Sequence, residues 1–413
     1  MSTSNRFLKK LALNVAGVFT VIVAILFKSE QMYLMAGVML LIPHVIDVLG
    51  RYLVRGLTCE REVPFECAEG DRVTVVIQVG NTGRLPKFFL RAIDKLPTAL
   101  TMAGSDSPMI LQLNSGERRT VSYKLDLTLR GVYEIGPTVV TSTDPFGFST
   151  FQQTVGTTQE LMVLPTPIPT SRLFLDGAAA GQRGDEGGTQ RGGGMDFHGV
   201  REYRQGDDLR RVHWRTTART GELAVTEYTQ GSSLQVLLAL DLARASYDDT
   251  GSGAESALEY GVKLAATVAD NLARHGHRAI LLTPDTLEMA QAPSNSAREM
   301  PALLEALARA QAVHELSLAD MLERFRPLAP AGMTLVTITP VADGALVQAI
   351  RHYGAQGVRA FGFHLDGPSF HPAAHLNSER SGGVVRIPGV VWRTVGKGDD
   401  LAASIEGLAY GYQ

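Results

Sequence analysis

Two apolar runs open the chain. Residues 11–27 (LALNVAGVFTVIVAILF) and 32–49 (MYLMAGVMLLIPHVIDVL) each come close to the length that crosses a bilayer, about 20 residues with flanks. Only Lys28-Ser29-Glu30-Gln31 separates them, so residues 1–56 are predicted to form a helical membrane hairpin. The pattern then shifts to period two. Residues 72–79 (RVTVVIQV) and 120–127 (TVSYKLDL) alternate, residues 132–135 and 138–141 flank Gly136-Pro137, and turn residues such as Asn81-Thr82-Gly83 punctuate them. Short strands so spaced predict a β-sandwich over 57–170. Residues 171–233 are rich in Gly and Arg and lose any clear period, and the stretch 176–196 reads as a loop. From 234 the pattern becomes α/β. Residues 234–240 (LQVLLAL) run apolar without a break and end at Asp241, as a strand buried on both faces does. Residues 254–274 carry Leu258, Val262, Leu264, Val268 and Leu272 on or near one helical face. Strands at 279–283, 334–339, 358–363 and 390–393 and helices at 300–311 and 345–353 complete the series. The chain is therefore predicted to be multidomain, ending in a doubly wound α/β domain over 234–413.

Charge orients the hairpin. Arg6, Lys9 and Lys10 precede the first run, Arg51, Arg55 and Arg61 follow the second, and Lys28 and Glu30 nearly cancel between them. Basic residues stay on the cytoplasmic side, which places both termini and the soluble bulk in the cytoplasm. A signal peptide is disfavoured, because no small-residue cleavage site follows the first run and a second begins at once. A pair of buried core helices is disfavoured by the uniform apolarity. Asn14, His44 and Asp47 are polar within the runs; His44 and Asp47 follow Pro43 and read as a wet helix end. Composition adds two limits. The formal net charge of the 413 residues is −3, so no basic field recruits nucleic acid. The two cysteines, Cys59 and Cys67, make neither a disulfide framework nor a metal set; one disulfide between them is an option, but the preferred reading is reduced thiols.

The densest chemistry lies in residues 192–228, GGGMDFHGVREYRQGDDLRRVHWRTTARTGELAVTEY. Arg201, Arg204, Arg210, Arg211, Arg215 and Arg219 stand among Glu202, Asp207 and Asp208. A nucleic-acid groove would need more aromatic interleaving and fewer acids. A salt-bridge network suits the planar guanidinium and is the preferred reading; a docking surface anchored by Arg, Tyr and Trp is the second. The network reading expects Asp207, in the Gly206 turn, to accept hydrogen bonds from Arg201, Arg210 or Arg219, half-buried under Phe197, Tyr203 and Trp214. Gly192-Gly193-Gly194 lacks the strand and the Lys-Ser/Thr of a phosphate cradle.

These residues also carry a resemblance. Phe197-x-Gly199-x-Arg201-x-Tyr203, Gly206-Asp207, Arg210, Trp214 and Thr217-Ala218-Arg219 resemble the bacterial domain of unknown function 58 family. Arg130-Gly131-Val132-Tyr133, Gly136-Pro137 and Asp144-Pro145-Phe146-Gly147 are similar to its β module; the preferred reading is that they shape turns. The resemblance implies a membrane-tethered partner of MoxR-type AAA+ ATPases, encoded near transglutaminase-like and von Willebrand A-type proteins, so a transglutaminase-like membrane protein is a second expected partner.

The final domain is similar in layout to a von Willebrand A domain, whose metal site begins Asp-x-Ser-x-Ser around Mg²⁺. In this chain Asp241 is followed by Ala243 and Ala245 at the serine positions, Ser246 is one residue out of register, and Asp343 and Thr283 are further oxygen donors. Two methyl groups in place of ligands leave too few oxygens for Mg²⁺, so no cofactor is expected and Asp241 is read as a cap. Gly-x-Ser-x-Gly, His-Glu-x-x-His and Walker A patterns are absent. His213 reads as a hydrogen-bonded histidine rather than a base. The expectation is a non-enzymatic inner-membrane scaffold or adaptor serving complex assembly or envelope stress; the alternative is a metal-dependent enzyme or hydrolase using the strand end at Asp241.

Overall fold

A computed structural model describes residues 3–102, 109–143, 150–170, 195–203, 212–230, 235–248, 250–286, 300–329, 332–371, 384–387 and 390–406. The chain divides into two compact units, Met1–Pro165 and Thr166–Gln413.

The first unit begins with α1 (Thr3–Phe27) and α2 (Glu30–Val54), both long and apolar enough to cross a membrane. They exceed the apolar runs because the polar flanks continue the helix. Hydropathy marks the length of apolar surface, not the end of hydrogen bonding. The helices pack together where Gly17 meets Leu40, and Lys10 pairs with Asp47 across them at 2.5 Å. Asp47 is thus ion-paired at the helix end where the sequence placed it.

The β module follows as β1 (Leu57–Glu62), β2 (Glu66–Ala68), β3 (Arg72–Asn81), β4 (Lys87–Asp94), β5 (Thr101–Met102) and β6 (Met109–Leu113). β7 (Arg118–Asp126), β8 (Gly131–Ile135), β9 (Thr138–Thr143), β10 (Thr150–Val155) and β11 (Gln159–Leu164) complete it. They form sheets in the orders β1-β3-β7-β5, β10-β9-β4-β6 and β2-β11-β8. Period-two alternation puts Val73, Val75, Ile77 and Val79 of β3 on one face. There they share a single core with Leu90, Ala92, Val140, Ile135, Leu161 and Val163 from the other sheets.

That core closes around a buried ion pair. The Arg61 side chain is 5% exposed and that of Asp94 0%. Arg61 donates to both Asp94 oxygens at 2.8 and 2.6 Å, and to the carbonyls of Ile135 and Thr157. The Tyr123 and Thr138 hydroxyls also donate to Asp94, at 2.8 and 2.5 Å. This corrects one premise of the charge count: Arg61 is a core residue of the sandwich and contributes nothing to a basic membrane flank. Both cysteines are free thiols, and the Cys59 thiol donates to Thr138 Oγ1 at 3.1 Å. Tyr133 donates to the carbonyls of Leu129 and Arg130 at 2.8 and 3.0 Å, which is the tyrosine-corner arrangement of β-sandwiches. The Arg130–Tyr133 run therefore has a structural task.

The end of α2 is locked to this module. Lys87 is wholly buried, and its Nζ donates to the Tyr52 and Arg55 carbonyls at 2.9 and 2.5 Å. The Tyr52 carbonyl also accepts from the Arg55 N–H at 3.2 Å, so Lys87 adds a second donor there and supplies the donor for the Arg55 carbonyl, a cation placed at a helix C-terminus. Gly50 lets α2 approach closely: a Cβ there would lie 1.8 Å from the Phe151 ring.

The second unit opens with β12 (Met195–Glu202), α3 (Trp214–Thr220) and β13 (Ala224–Gln230), β12 pairing antiparallel with β13. Then come β14 (Gln235–Leu240), α4 (Ala257–Arg274), β15 (Arg278–Leu282), α5 (Met300–Arg309), α6 (Leu318–Phe325) and β16 (Thr334–Thr339). The unit ends with α7 (Gly344–Ala355), β17 (Arg359–Leu365), α8 (Gly367–Phe370), β18 (Val384–Ile387), β19 (Val390–Val395) and α9 (Leu401–Glu406). The sheet order is β15-β14-β16-β17-β19-β18, parallel except for β18 at one edge. Strand alternation divides the core in two. Leu238, Leu240, Val336 and Phe361 pack with α4, α5 and α9, whereas Leu237, Ala239, Leu335 and Trp392 pack with α6 and α7. Burial on both faces explains the unbroken apolar runs of β14 and β16. α6, which the sequence reading did not assign, is capped by Ser317, whose hydroxyl accepts from the Asp320 N–H at 3.1 Å.

Candidate functional site

In an open α/β sheet the crevice lies where successive strands leave a central strand in opposite directions. Here β14 is followed by β15 on one side and, later in the chain, by β16 on the other. Asp241, at the carboxyl end of β14, is 2% exposed. Its Oδ1 accepts from the Ala243 N–H at 2.9 Å and its Oδ2 from the Thr339 hydroxyl, on β16, at 2.7 Å. Tyr247 donates to the Asp241 carbonyl at 2.8 Å. Burial pushes the Asp241 carboxyl above the ordinary carboxylate range, against hydrogen bonds from Ala243, Thr339 and Ser246 that pull it down. Ser246 thus acts on the Asp241 carboxyl in lowering its pKa. Asp343 is exposed and caps α7, accepting from the Leu346 N–H at 2.8 Å, and reaches Asp241 only through its charge. Thr283 bonds instead to Thr286, its amide donating to Thr286 Oγ1 at 2.7 Å and the two hydroxyls lying 3.1 Å apart. Among the described residues no three His, Cys, Asp or Glu side chains are grouped to hold a metal ion.

The sequence reading missed a neighbour. His364 on β17 pairs in register with Thr339. Burial lowers its pKa, and its Nδ1 is buried with no hydrogen-bond partner. The signal was present: His364 ends a predicted strand, and the rule that singled out Asp241 applies to it equally.

The arginine-rich segment forms a second candidate. β12 and β13 pair from Met195↔Gln230 to Glu202↔Ala224, with an irregularity between Phe197 and Gly199. The segment then adds an isolated bridge, Val212↔Val225, and α3. His213 caps α3, its Nδ1 accepting from the Thr216 N–H at 3.2 Å with the Thr216 hydroxyl 2.8 Å away. Gly221 ends the helix at φ 78°, its N–H donating to the Thr217 carbonyl at 2.9 Å. At about 100° per residue, Trp214, Ala218, Arg215 and Arg219 share one face, and all four are exposed. Trp214 is 69% exposed. The Trp214 ring is thus mostly in the open; Asp207, the centre of the ion pair it was expected to cover, lies outside the described residues. Neither Arg215 nor Arg219 has an ion pair among the described residues. Tyr203 is half-buried, its amide bonded to the Leu223 carbonyl at 2.8 Å. The expectations for Gly206, Asp207 and Arg210 lie outside the described residues, as do those for Asp208, Gly192-Gly193-Gly194 and Asp144-Pro145-Phe146-Gly147; for Phe197, Gly199 and Arg201 only the backbone is described.

No curated protein matches the chain. Among solved structures it is similar to Escherichia coli alpha-2-macroglobulin from domain MG7 to the C-terminus, at 22% identity over 27% of this chain and 17% of that one, with a TM-score of 0.23. It is similar to the CARDB domain of PF1109 from Pyrococcus furiosus at 14% identity, over 26% and 94%, with a TM-score of 0.18. It is also similar to the alkylpurine DNA glycosylase AlkC of Pseudomonas fluorescens at 10% identity, over 32% and 39%, with a TM-score of 0.18. These are partial overlaps, and no function is taken from them. Residues 199–349, which hold α3, Asp241, Thr339 and Asp343, match the family described as "Protein of unknown function DUF58", and the chain carries a domain of that family.

Proposed function

We propose that the chain is a membrane-anchored, non-enzymatic adaptor that holds a protein partner through the α3 face. The observation carrying this reading is Trp214, 69% exposed, on the helix face that also carries the exposed Arg215 and Arg219, in the segment that bears the family resemblance. Trp and Arg are the residue types that dominate binding energy in protein interfaces. The partner class, a MoxR-type AAA+ ATPase with a transglutaminase-like membrane protein as a further associate, comes from the resemblance. Anchoring is supported by the apolar surface of the hairpin, where Phe19, Leu26 and Leu34 are 65%, 74% and 72% exposed, since water disfavours such a surface and lipid does not. Arg51 and Arg55, with Arg6, Lys9 and Lys10, favour a cytoplasmic placement of both outer ends. The parallel sheet with an acid ending its β14 strand supports a von Willebrand A-like reading of the second unit.

A photo-crosslinking residue in place of Trp214, in native membranes, tests the docking face. An adduct with the ATPase is expected at 214 and none at Val313, which is 61% exposed elsewhere in the same domain. Equal yields at the two positions would contradict the reading.

A second reading rests on the crevice. Asp241, raised by burial, and His364, with an unpartnered Nδ1, lie at the strand ends where α/β enzymes bind ligands. Mg²⁺-dependent thermal stabilisation that disappears in Asp241→Ala would favour this enzymatic reading over the adaptor.

A further inference from the structure

β4 breaks its own alternation. Lys87 and Leu90 are wholly buried, but Phe88 and Phe89 between them are 37% and 43% exposed. A regular strand would turn successive side chains to opposite faces. Phe89 sits at φ 51°, a left-handed conformation that a bulky residue adopts only when its surroundings impose it. The ladder to β6 runs Phe88↔Gln112 then Leu90↔Ile110, and the ladder to β9 starts at Leu90, so Phe89 pairs with neither neighbour. The Phe88 carbonyl accepts instead from the Ser142 hydroxyl at 3.1 Å. Strain thus keeps two aromatic rings outward, next to Leu85, which is 56% exposed.

This apolar patch has a fixed address. The Leu85 N–H donates to the Tyr52 hydroxyl at 3.2 Å, and the Lys87 Nζ binds the carbonyls at the end of α2 and lies 4.7 Å from the Tyr52 ring centroid. The exposed apolar surface of α2 ends at Val48 and Leu49. Tyr52 lies three residues on, roughly 5 Å along the axis, which is about the depth of the interfacial layer on one side of a bilayer. Arg51, Arg55 and Arg84, all exposed, surround the same point. Aromatic and basic side chains at that depth match lipid ester and headgroup chemistry.

We infer that Leu85, Phe88 and Phe89, with Arg84, form a second membrane contact that seats the β-sandwich on an anionic bilayer surface. The contact rests on α1 and α2 being bilayer spans, so the test reports on both. The full chain is reconstituted in phosphatidylethanolamine–phosphatidylglycerol vesicles containing lipid brominated near the headgroup or, in a parallel preparation, near the ends of the acyl chains, the first reporting on the patch and the second on the middle of α1. Tryptophan is introduced singly by Phe19→Trp in α1, by Phe89→Trp in the patch, and by Phe65→Trp. Phe65 is 59% exposed but lies beyond the end of β1, which begins beside Asn81 at the α2 end and carries the chain roughly 17 Å away. Quenching is read as loss of the emission added over the parent protein. Loss at Phe19→Trp and Phe89→Trp with none at Phe65→Trp is expected. Loss at Phe19→Trp alone overturns the contact and leaves the spans intact. No loss at any position overturns both. Loss at all three overturns the contact as a localised surface.

Discussion

At the scale of single residues, burial decides what each charged group does. The Asp94 carboxyl is pushed up by burial, yet hydrogen bonds from Arg61, Thr138 and Tyr123 outweigh this and hold it below the ordinary carboxylate range. A carboxyl lowered on folding stabilises the fold above its unfolded pKa, near 3.9, and that stability is lost as pH falls through the folded value. The β module should therefore hold constant stability above about pH 5 and lose it below about pH 4. Asp94→Ala should cost roughly 3–5 kcal/mol, because it strands a buried guanidinium; hydrogen exchange along β3 and β4 measures this, and unchanged protection would contradict it. Asp241 has the opposite sign. Its raised pKa means that ionisation opposes folding, so the stability it contributes is present below about pH 4 and is lost as pH rises through the folded value. Asp241→Asn keeps an acceptor for Ala243 and adds a donor toward Thr339; it should be neutral or stabilising at pH 7. Asp241→Ala should cost about 1–3 kcal/mol through unmade hydrogen bonds. Thermal unfolding separates the two; destabilisation by Asp241→Asn would show that the ionised carboxylate is needed. Asp241 was legible in the sequence because an acid ending an apolar run stands out. His364 was not singled out, although it follows the predicted strand 358–363 as Asp241 follows 234–240; its place opposite Thr339 needs the strand register.

At the scale of elements, legibility followed pattern length. The parallel strands were readable because both faces are buried, and β16 falls on the predicted 334–339. α3 has 7 residues and β12 is interrupted near Gly199, so neither is long enough to show a period against a background of Gly and Arg. Capping still fixes α3, and His213→Ala should weaken it by about 0.5–2 kcal/mol, seen as faster amide exchange at Thr216 and Thr217. The junction of α2 with the sandwich could not be read at all, because Lys87 is distant in sequence from Tyr52 and a lysine on a strand predicts exposure. Lys87→Met should cost roughly 1–3 kcal/mol, because the Arg55 carbonyl loses its donor, whereas the Tyr52 carbonyl keeps the Arg55 N–H. Urea unfolding of the detergent-solubilised chain, with protease sensitivity at Arg55-Gly56, tests this; parental behaviour would mean that the Lys87 contacts carry no net energy.

For the whole molecule, the order of apolar hairpin, β-rich segment and α/β unit followed from changes in hydrophobic period, from continuous to two to alternating two and 3.6. Function was less readable because the arginine stretch has the same composition whether its arginines pair internally or face a partner. A reporter fused after Gln413 should behave as cytoplasmic, and periplasmic activity there would remove any role for a cytoplasmic ATPase. The most direct test is quantitative capture of the MoxR-type ATPase from solubilised membranes by the parent chain and by Trp214→Ala/Arg215→Glu/Arg219→Glu, with thermal unfolding recorded for both. The adaptor account predicts capture by the parent and its loss by tenfold or more, about 1.4 kcal/mol or greater, in a variant that unfolds at the parental temperature. Equal capture by the two, or loss only together with unfolding, would contradict it.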